Sequence, residues 1–299
     1  MASRRALVTG LSGFTGRYLG RALAAAGFRV FGLAPHASGS PEHFAVDLED
    51  RAGLSRVVEE VQPDVVVHLA AISFVGHADA ADFYRVNLIG TRNLLDAVAA
   101  GGHAPACVLL ASSANVYGNV AGGPLTETSA VRPANDYAVS KLAMEYMAAL
   151  WTGRLPIVTV RPFNYTGVGQ SGRFLLPKIV DHFRRGSRVI ELGNLDVARD
   201  FSDVRSVVDA YLRLIRHAPA GQTFNVCSGQ AVSLEQILEM MAEIAGYRIE
   251  VHVNPDFVRA NEVKRLHGSR ARLEAAVGEL PWTPLRETLR WMYEAPESA

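Results

Sequence analysis

Tyr137 and Lys141 stand four residues apart in Tyr137-Ala138-Val139-Ser140-Lys141, the spacing that brings two side chains together on one face of a helix. A phenol ionises near pH 10, and an ammonium beside it stabilises the phenolate. Such a pair is suited to passing a proton to or from a substrate oxygen near neutrality. Near the start of the chain, Gly10-Leu11-Ser12-Gly13-Phe14-Thr15-Gly16 supplies a second ingredient. Glycines let backbone pass close to a pyrophosphate, whose charge then rests on the N–H groups of a helix start. A proton-transfer pair and a dinucleotide turn in one chain point to redox chemistry.

These residues need elements to position them. The apolar run 6–9 reads as a buried strand and 18–26 carries helical spacing, so the glycines fall at a strand-to-helix junction. Strand-like runs at 29–33, 65–69, 107–111 and 157–160 alternate with helical segments at 54–61, 92–100 and 137–150. That alternation predicts an α/β fold with a doubly wound parallel sheet of the Rossmann type. After Asn164 the pattern loosens, and a helix is expected over 234–245. A chain that is 49% hydrophobic and 20% charged can bury one large core with a smaller appendage. Its formal net charge of zero gives no reason to expect nucleic acid as a partner. No apolar run approaches a membrane span, and Met1-Ala2-Ser3-Arg4-Arg5 leads into a strand without a signal-peptide pattern, so a cytoplasmic location is expected. Cys107 and Cys227 both lie in apolar strand-like runs, as buried free thiols and not as disulfide or metal ligands; no metal site is expected.

The spacing Gly-x-x-Gly-x-x-Gly differs from the Gly-x-Gly-x-x-Gly of ordinary dehydrogenases. It is followed in order by His68-Leu69-Ala70-Ala71, Asn87-Leu88-Ile89-Gly90-Thr91, Ser112-Ser113-Ala114-Asn115-Val116-Tyr117-Gly118, the Tyr137/Lys141 pair and Arg161-Pro162-Phe163-Asn164. Over most of its length the chain resembles the extended short-chain dehydrogenase/reductase family. The resemblance implies that Gly10, Gly13, Phe14, Thr15 and Gly16 cradle the cofactor, with Leu69, Ala70, Ala71, Asn87, Tyr137 and Lys141 along it and Asp47-Leu48 beside the adenine. It implies catalysis by Ser113, Tyr137 and Lys141, in which Tyr137 is the acid, Lys141 also holds the nicotinamide ribose, and Ser113 donates to the carbonyl oxygen. Residues 1–164 would be mainly dinucleotide-binding, joined by a strand near 223–227, and 165–299 mainly a substrate-binding lobe. In this family the helices at 92–100 and 137–150 form a dimer contact, so a homodimer is expected.

Two positions narrow the reading. An NAD site usually carries an acidic residue at the end of the second strand, and Gly32-Leu33-Ala34-Pro35-His36 has none. NADP(H) is therefore favoured, with NAD(H) left open; His36 or Arg17 offers positive charge there, or His36 is simply a solvated loop residue. The 4,6-dehydratases of the family need a carboxylate two residues after the Ser/Thr to take a proton from sugar C5, and Asn115 is an amide that cannot act as that base. Ketoreduction and C4 epimerisation remain. A non-catalytic sensor on this fold would ordinarily lose the tyrosine or the lysine, and both are present.

Four further segments, Asn194-Leu195-Asp196-Val197-Ala198-Arg199-Asp200-Phe201-Ser202-Asp203-Val204, Phe224-Asn225-Val226-Cys227-Ser228-Gly229, Arg259-Ala260-Asn261-Glu262-Val263 and Gly268-Ser269-Arg270-Ala271-Arg272-Leu273, look like the GDP-mannose 4,6-dehydratase branch, and within it the ketoreductases. This implies NADPH-dependent reduction of the C4 ketone of a GDP-linked 4-keto-6-deoxy sugar, to GDP-D-rhamnose or its C4 epimer GDP-6-deoxy-D-talose. Ser113, Asn115 and Asn164 would then face the sugar and diphosphate. Lys178, Arg199 and Arg259 would meet diphosphate or ribose, and Glu262 the ribose hydroxyls, although each cation also suits a solvated face. His68 reads as a core histidine, Tyr117 lacks a lysine four positions on, and Trp151, Trp282 and Trp291 read as packing. Arg265, Arg270 and Arg272 read as surface charges.

Overall fold

The computed structural model describes residues 3–36, 39–73, 79–120, 123–217, 220–257 and 264–296. β1 (Arg5–Thr9) enters the core at once, with Ala6, Leu7 and Val8 fully buried. α1 (Phe14–Ala25) follows the glycine turn, and β2 (Arg29–Ala34) and β3 (His43–Ala45) extend the sheet outward. α2 (Arg51–Val61) begins where the Asp50 carboxylate accepts from the Gly53 N–H at 2.8 Å, a side-chain cap on the first turn. β4 (Val65–His68) is buried along its whole length without polar alternation, as a strand covered on both faces must be.

The helix expected over 92–100 is part of a longer one. α3 (Ala80–Asp82) runs into a π-helical stretch, Phe83–Gly90, and on into α4 (Thr91–Ala100), so Asn87 lies inside the helical segment. β5 (Cys107–Ala111) leads to α5 (Asp136–Ala149), capped by Asn135, whose side chain accepts from the Ala138 N–H at 2.9 Å. β6 (Ile157–Pro162) comes next. The seventh strand is β10 (Gln222–Val226), paired with β6, and the all-parallel order is β10-β6-β5-β4-β1-β2-β3.

Two apolar layers sandwich this sheet. On one face pack α1, α7 (Val204–His217) and α9 (Ala271–Val277), around Val8, Leu19, Val67, Leu109, Tyr211 and Leu273. On the other pack α2, α4 and α5, around Leu7, Leu54, Val66, Leu94, Leu110 and Met144. Two elements of the first layer, α7 and α9, come from the C-terminal half of the chain and were not anticipated from the sequence.

The remainder of that half builds a second body. β7 (Asn164–Thr166), β9 (Ala198–Asp203), β11 (Ala231–Ser233) and β13 (Arg265–Leu266) form one small sheet, and β8 (Val189–Leu192) pairs with β12 (Glu250–Val253). α6 (Leu175–Arg184), α8 (Leu234–Ala245) and α10 (Leu285–Glu294) enclose Leu176, Ile179, Phe183, Ile237, Met241 and Leu289. α8 starts in a reciprocal capping box, Ser233 with Gln236. No helix among the described residues is long and apolar enough to cross a membrane.

Because every strand of the main sheet runs the same way, the ends of β1, β4, β5 and β6 open on a single edge, the crevice where such sheets bind ligands. The turn after β1 depends on two glycines. Gly10 has φ +73°, and a Cβ there would lie 2.9 Å from the Ala70 nitrogen. A Cβ on Gly16 would lie 2.2 Å from the Gly10 carbonyl oxygen and 2.6 Å from Leu11 Cα. Gly16→Ala must therefore spread the helix from the turn. It is expected to destabilise the protein by about 1–3 kcal/mol, the usual cost of overpacking, read as a lower urea midpoint at unchanged slope; an unchanged midpoint would show that the turn is looser than this packing implies.

Candidate active site

α1 starts at Gly13 with no side-chain cap, and no acidic residue occupies its first turn. An uncapped first turn presents its N–H groups to an anion, and the glycine contacts leave no room for side chains between turn and helix. The cradle fits a dinucleotide pyrophosphate. α1 is also tied to the strand and loop after β6: Thr15 Oγ lies 2.8 Å from the Tyr165 hydroxyl, the Tyr18 hydroxyl donates to the Val168 carbonyl at 2.6 Å, and Arg17 donates to the Gly169 carbonyl at 3.0 Å. Arg17 thus directs a donor at the 165–169 segment.

Beside the turn runs the segment after β4. Leu69 and Ala70 pack against Gly10, and Asn87, fully buried in the π-helical stretch, grips Ile72 by accepting from its N–H at 3.0 Å and donating to its carbonyl at 3.1 Å. Asn87 also donates to Ser140 Oγ at 3.1 Å, and Ser140 donates to the Tyr137 carbonyl at 2.8 Å. His68 is the centre of a second chain. Thr91 Oγ donates to the Asn87 carbonyl at 2.7 Å, so toward His68 Nε2, 2.8 Å away, it must accept. The ring is therefore protonated on Nε2, and Nδ1 accepts from Thr9 Oγ at 2.7 Å, which in turn accepts from the Ala70 N–H at 3.1 Å. Burial, with Lys141 nearby, pushes the His68 pKa down to about 3 and keeps the ring neutral. The histidine is a core residue, as its type and place suggest, and it ties β1, β4 and α4 together.

The catalytic candidates converge where β5 ends. Ser113 caps a short 3₁₀ turn, Ala114–Tyr117, its Oγ accepting from the Asn115 N–H at 3.1 Å, and its side chain is near enough to the Tyr137 phenol to lower the phenol's pKa. Burial pushes the Tyr137 phenol up to about 12, partly offset by Ser113, so it holds its proton at neutral pH. Lys141, one turn along α5 and 2% exposed, donates from Nζ to the Ala111 carbonyl at 2.8 Å. Burial pulls its pKa down to about 8 and the Glu145 charge pushes it back up, leaving it mostly protonated at neutrality. Asn115 stands half-buried at this turn, two residues from Ser113.

Other candidates are placed as follows. Asp47 is exposed, Leu48 is in the core, and the Leu48 carbonyl accepts from Asn93 at 2.9 Å. Pro35 and His36 follow β2 on the surface. Asn164 is exposed at the start of β7, with its amide 3.5 Å from the Asp200 carbonyl. Lys178 lies in the second body, donating to the Glu191 carbonyl at 2.7 Å and capping the Phe257 ring at 4.5 Å. Arg199 donates to the Ala198 and Lys264 carbonyls at 3.0 and 3.2 Å. Arg259 and Glu262 lie outside the described residues. Arg270 is not the loose surface charge expected of it: it donates to the Ser228 carbonyl at 2.7 Å, pairs with Glu274 at 2.7 Å and is half-buried. Cys107 and Cys227 are buried free thiols, the first pushed up to about 12 by burial and so unreactive.

Three residues that sequence reasoning passed over matter to this site. Tyr165 joins the glycine turn to the start of the second body. The buried Asp200 carboxylate accepts from the Ser228 N–H and hydroxyl and from the Gly229 N–H, at 2.7 to 2.9 Å, holding the 228–229 turn to β9. Glu145 stands one further turn beyond Lys141, in a spacing visible in the sequence but without evident partner there.

The chain resembles known proteins in sequence and in fold. The model of the NAD dependent epimerase/dehydratase family matches residues 6–227. GDP-6-deoxy-D-mannose reductase of Pseudomonas aeruginosa is 38% identical, over 96% of this chain and 95% of its own length. GDP-6-deoxy-D-talose 4-dehydrogenase of Aggregatibacter actinomycetemcomitans is 36% identical, over 96% of each. Among solved structures, a putative epimerase from Burkholderia cenocepacia superposes with a TM-score of 0.92 at 57% identity, covering 98% of this chain and 97% of its own. The RMD protein of Pseudomonas aeruginosa, complexed with NADPH, superposes with a TM-score of 0.86 at 37% identity, covering 97% and 98%.

The neutral His68 has a consequence for acid stability. Between its unfolded value of about 6.5 and its folded value of about 3, the unfolded chain binds the extra proton, so stability falls as pH falls through that window. The expected slope from this residue is about 1.4 kcal/mol per pH unit. His68→Gln should be less stable near neutrality but lose stability less steeply below about pH 6.5, measured by urea unfolding across that range; parallel pH curves for the two proteins would refute it.

Proposed function

The chain belongs to the NAD dependent epimerase/dehydratase family, and on that premise we propose that it is an NADPH-dependent 4-ketoreductase acting on a GDP-linked 4-keto-6-deoxy sugar. The observation that carries this reading is the Ser113–Tyr137–Lys141 group, with an amide at position 115 where elimination would need a base. The GDP-sugar class is supported by the two enzymes named for C4 redox chemistry on such sugars. The choice of NADP(H) is supported by the NADPH in the Pseudomonas structure and by the missing carboxylate at the end of β2.

When bound, the nicotinamide supplies the hydride to the C4 carbon. The residues of the chain do the rest. Ser113 donates a hydrogen bond to the ketone oxygen and opposes the charge that grows there. Tyr137, protonated at neutral pH, delivers its proton to that oxygen as the alkoxide forms. The Lys141 ammonium favours the resulting phenolate, and its bond to the Ala111 carbonyl holds it at the sheet edge. Buried surroundings on α5 keep water from competing for the proton. The second body, with Asn164, Lys178 and Arg199, is the side from which the GDP-sugar approaches. C4 epimerisation is the second reading, favoured by the name of the Burkholderia structure; an epimerase would retain its nicotinamide through turnover, and a reductase would release it oxidised.

We also assign the chain as a homodimer through α5 and the π-helical stretch. Val139, Tyr146 and Leu150 lie along α5 with Tyr146 66% and Leu150 79% exposed, and Ile89 is 46% exposed on the packed neighbour. So much apolar surface on one helix is the mark of an interface.

Stoichiometric NADPH oxidation with GDP-4-keto-6-deoxy-D-mannose, and NMR of the product's C4 configuration, tests the main reading; no oxidation with tightly retained cofactor would favour the epimerase. Tyr137→Phe is expected to lose about 10²- to 10⁴-fold in kcat with NADPH affinity unchanged, and near-normal turnover would remove Tyr137 from the acid role. Tyr146→Glu with Leu150→Glu should give a monomer by light scattering, and a persistent dimer would place the contact elsewhere.

A further inference from the structure

α5 touches the end of β5 at three places, each four residues apart. Tyr137 meets Ser113, Lys141 donates to the Ala111 carbonyl, and Glu145 accepts from the Ser112 hydroxyl. Glu145 is nearly buried, its side chain 9% exposed, and its charge is met from β6 by Arg161, which donates from Nε at 2.9 Å and from Nη2 at 2.6 Å. Arg161 is itself fixed. Its Nη1 donates to the Tyr117 hydroxyl at 3.0 Å and to the Glu127 carbonyl at 3.3 Å, and Tyr117 donates to Asn225 Oδ1 at 2.7 Å. The carboxylate thus has a rigid mount.

We infer that Glu145 is the positioning residue for the Lys141 ammonium, its charge holding the lysine in its protonated form at the end of β5. Helical spacing puts the two on one face, where an acid and a base four apart attract. The Ala111 carbonyl gives Lys141 a hydrogen bond and no countercharge. Of the groups around Lys141, His68 from β4 is neutral and Tyr137 on the same helix is protonated, which leaves the Glu145 carboxylate as its anion. Burial disfavours the ammonium, and the Glu145 charge opposes that effect. A buried carboxylate in a bidentate arginine pair is costly to place, and support of the catalytic ammonium is a function that the ion pair with Arg161 alone does not explain.

The inference takes from the proposed function only the pairing of Tyr137 with Lys141, and it can be tested without any sugar. Lys141, Lys178 and Lys264 are the only lysines of the chain, so protein labelled with carbon-13 at lysine Cε gives a spectrum of three signals, assignable with Lys178→Arg and Lys264→Arg. Lys141 is expected to titrate near 8 in the parent protein. Glu145→Gln keeps an acceptor for Ser112 and removes the charge; the Lys141 midpoint is expected to move down by about 1 to 3 units, the usual effect of one nearby charge. Glu145→Met with Arg161→Met removes both charges and leaves no stranded arginine, and a smaller downward shift is expected. A Lys141 midpoint unchanged in Glu145→Gln, or back at the parent value in the double variant, would overturn the inference. With the ketosugar, the alkaline limb of kcat/KM should move with the NMR midpoint; a uniform loss of rate at unchanged pH profile would mean that Glu145 serves structure alone. If the lysine shifts but no ketosugar is reduced, the proposed function fails and this inference stands.

Discussion

A lysine is held where almost no water reaches it, and the elements around it answer to that constraint. Lys141 is 2% exposed at the end of a sheet whose interior is aliphatic. Desolvation disfavours its charge, and what opposes desolvation is specific: a carbonyl at the end of β5 and a carboxylate one helical turn away. Both are available because α5 packs closely along the exit of β5. The same contact brings Tyr137 near Ser113, so the placement of these candidate residues and the electrostatics of the ammonium come from one helix-to-strand interface.

A network of neutral polar groups aligns the elements around this interface. Thr9, His68, Thr91 and Asn87 bond in sequence across β1, β4 and the helix that follows, and Asn87 reaches both Ile72 and Ser140. Every member of such a buried network must find its partner or cost free energy, so its bonds tolerate little slippage. The π-helical stretch at 83–90 belongs to this arrangement. Its wider turn holds Asn87 inside the helical segment, where its amide grips Ile72 and Ser140 together. The segment that lines the glycine turn is thereby tied to the helix that carries Tyr137.

The second body is joined to the first at more than one point. β10, α7 and α9 return to the main sheet from the C-terminal half. Tyr165 links the glycine turn to β7, and Asp200 binds β9 to the turn after β10. A ligand between the two bodies would thus meet surfaces braced against the same sheet.

The order of strands and helices through β6, apart from β3 and the helical stretch at 80–90, was legible in the sequence, as were the glycine turn and the helical placement of Tyr137 and Lys141, because each rests on local rules. Apolar runs of strand length, glycines at a strand-to-helix junction and a four-residue spacing act over a few residues. α7 carried a readable pattern at Val204, Val207, Val208, Tyr211 and Leu214, but its β-branched residues favour strands as much as helices, and packing on the sheet decided it. What the sequence could not show was partnership at a distance. Glu145 meets Arg161, His68 meets Thr9 and Thr91, and Asp200 meets Ser228 and Gly229 only after strands far apart in the chain lie side by side. The residues and their chemistry were therefore set by the sequence alone. The charges they keep, and the atoms they touch, were decided by the tertiary structure, because burial and counter-charges exist only once the sheet has closed.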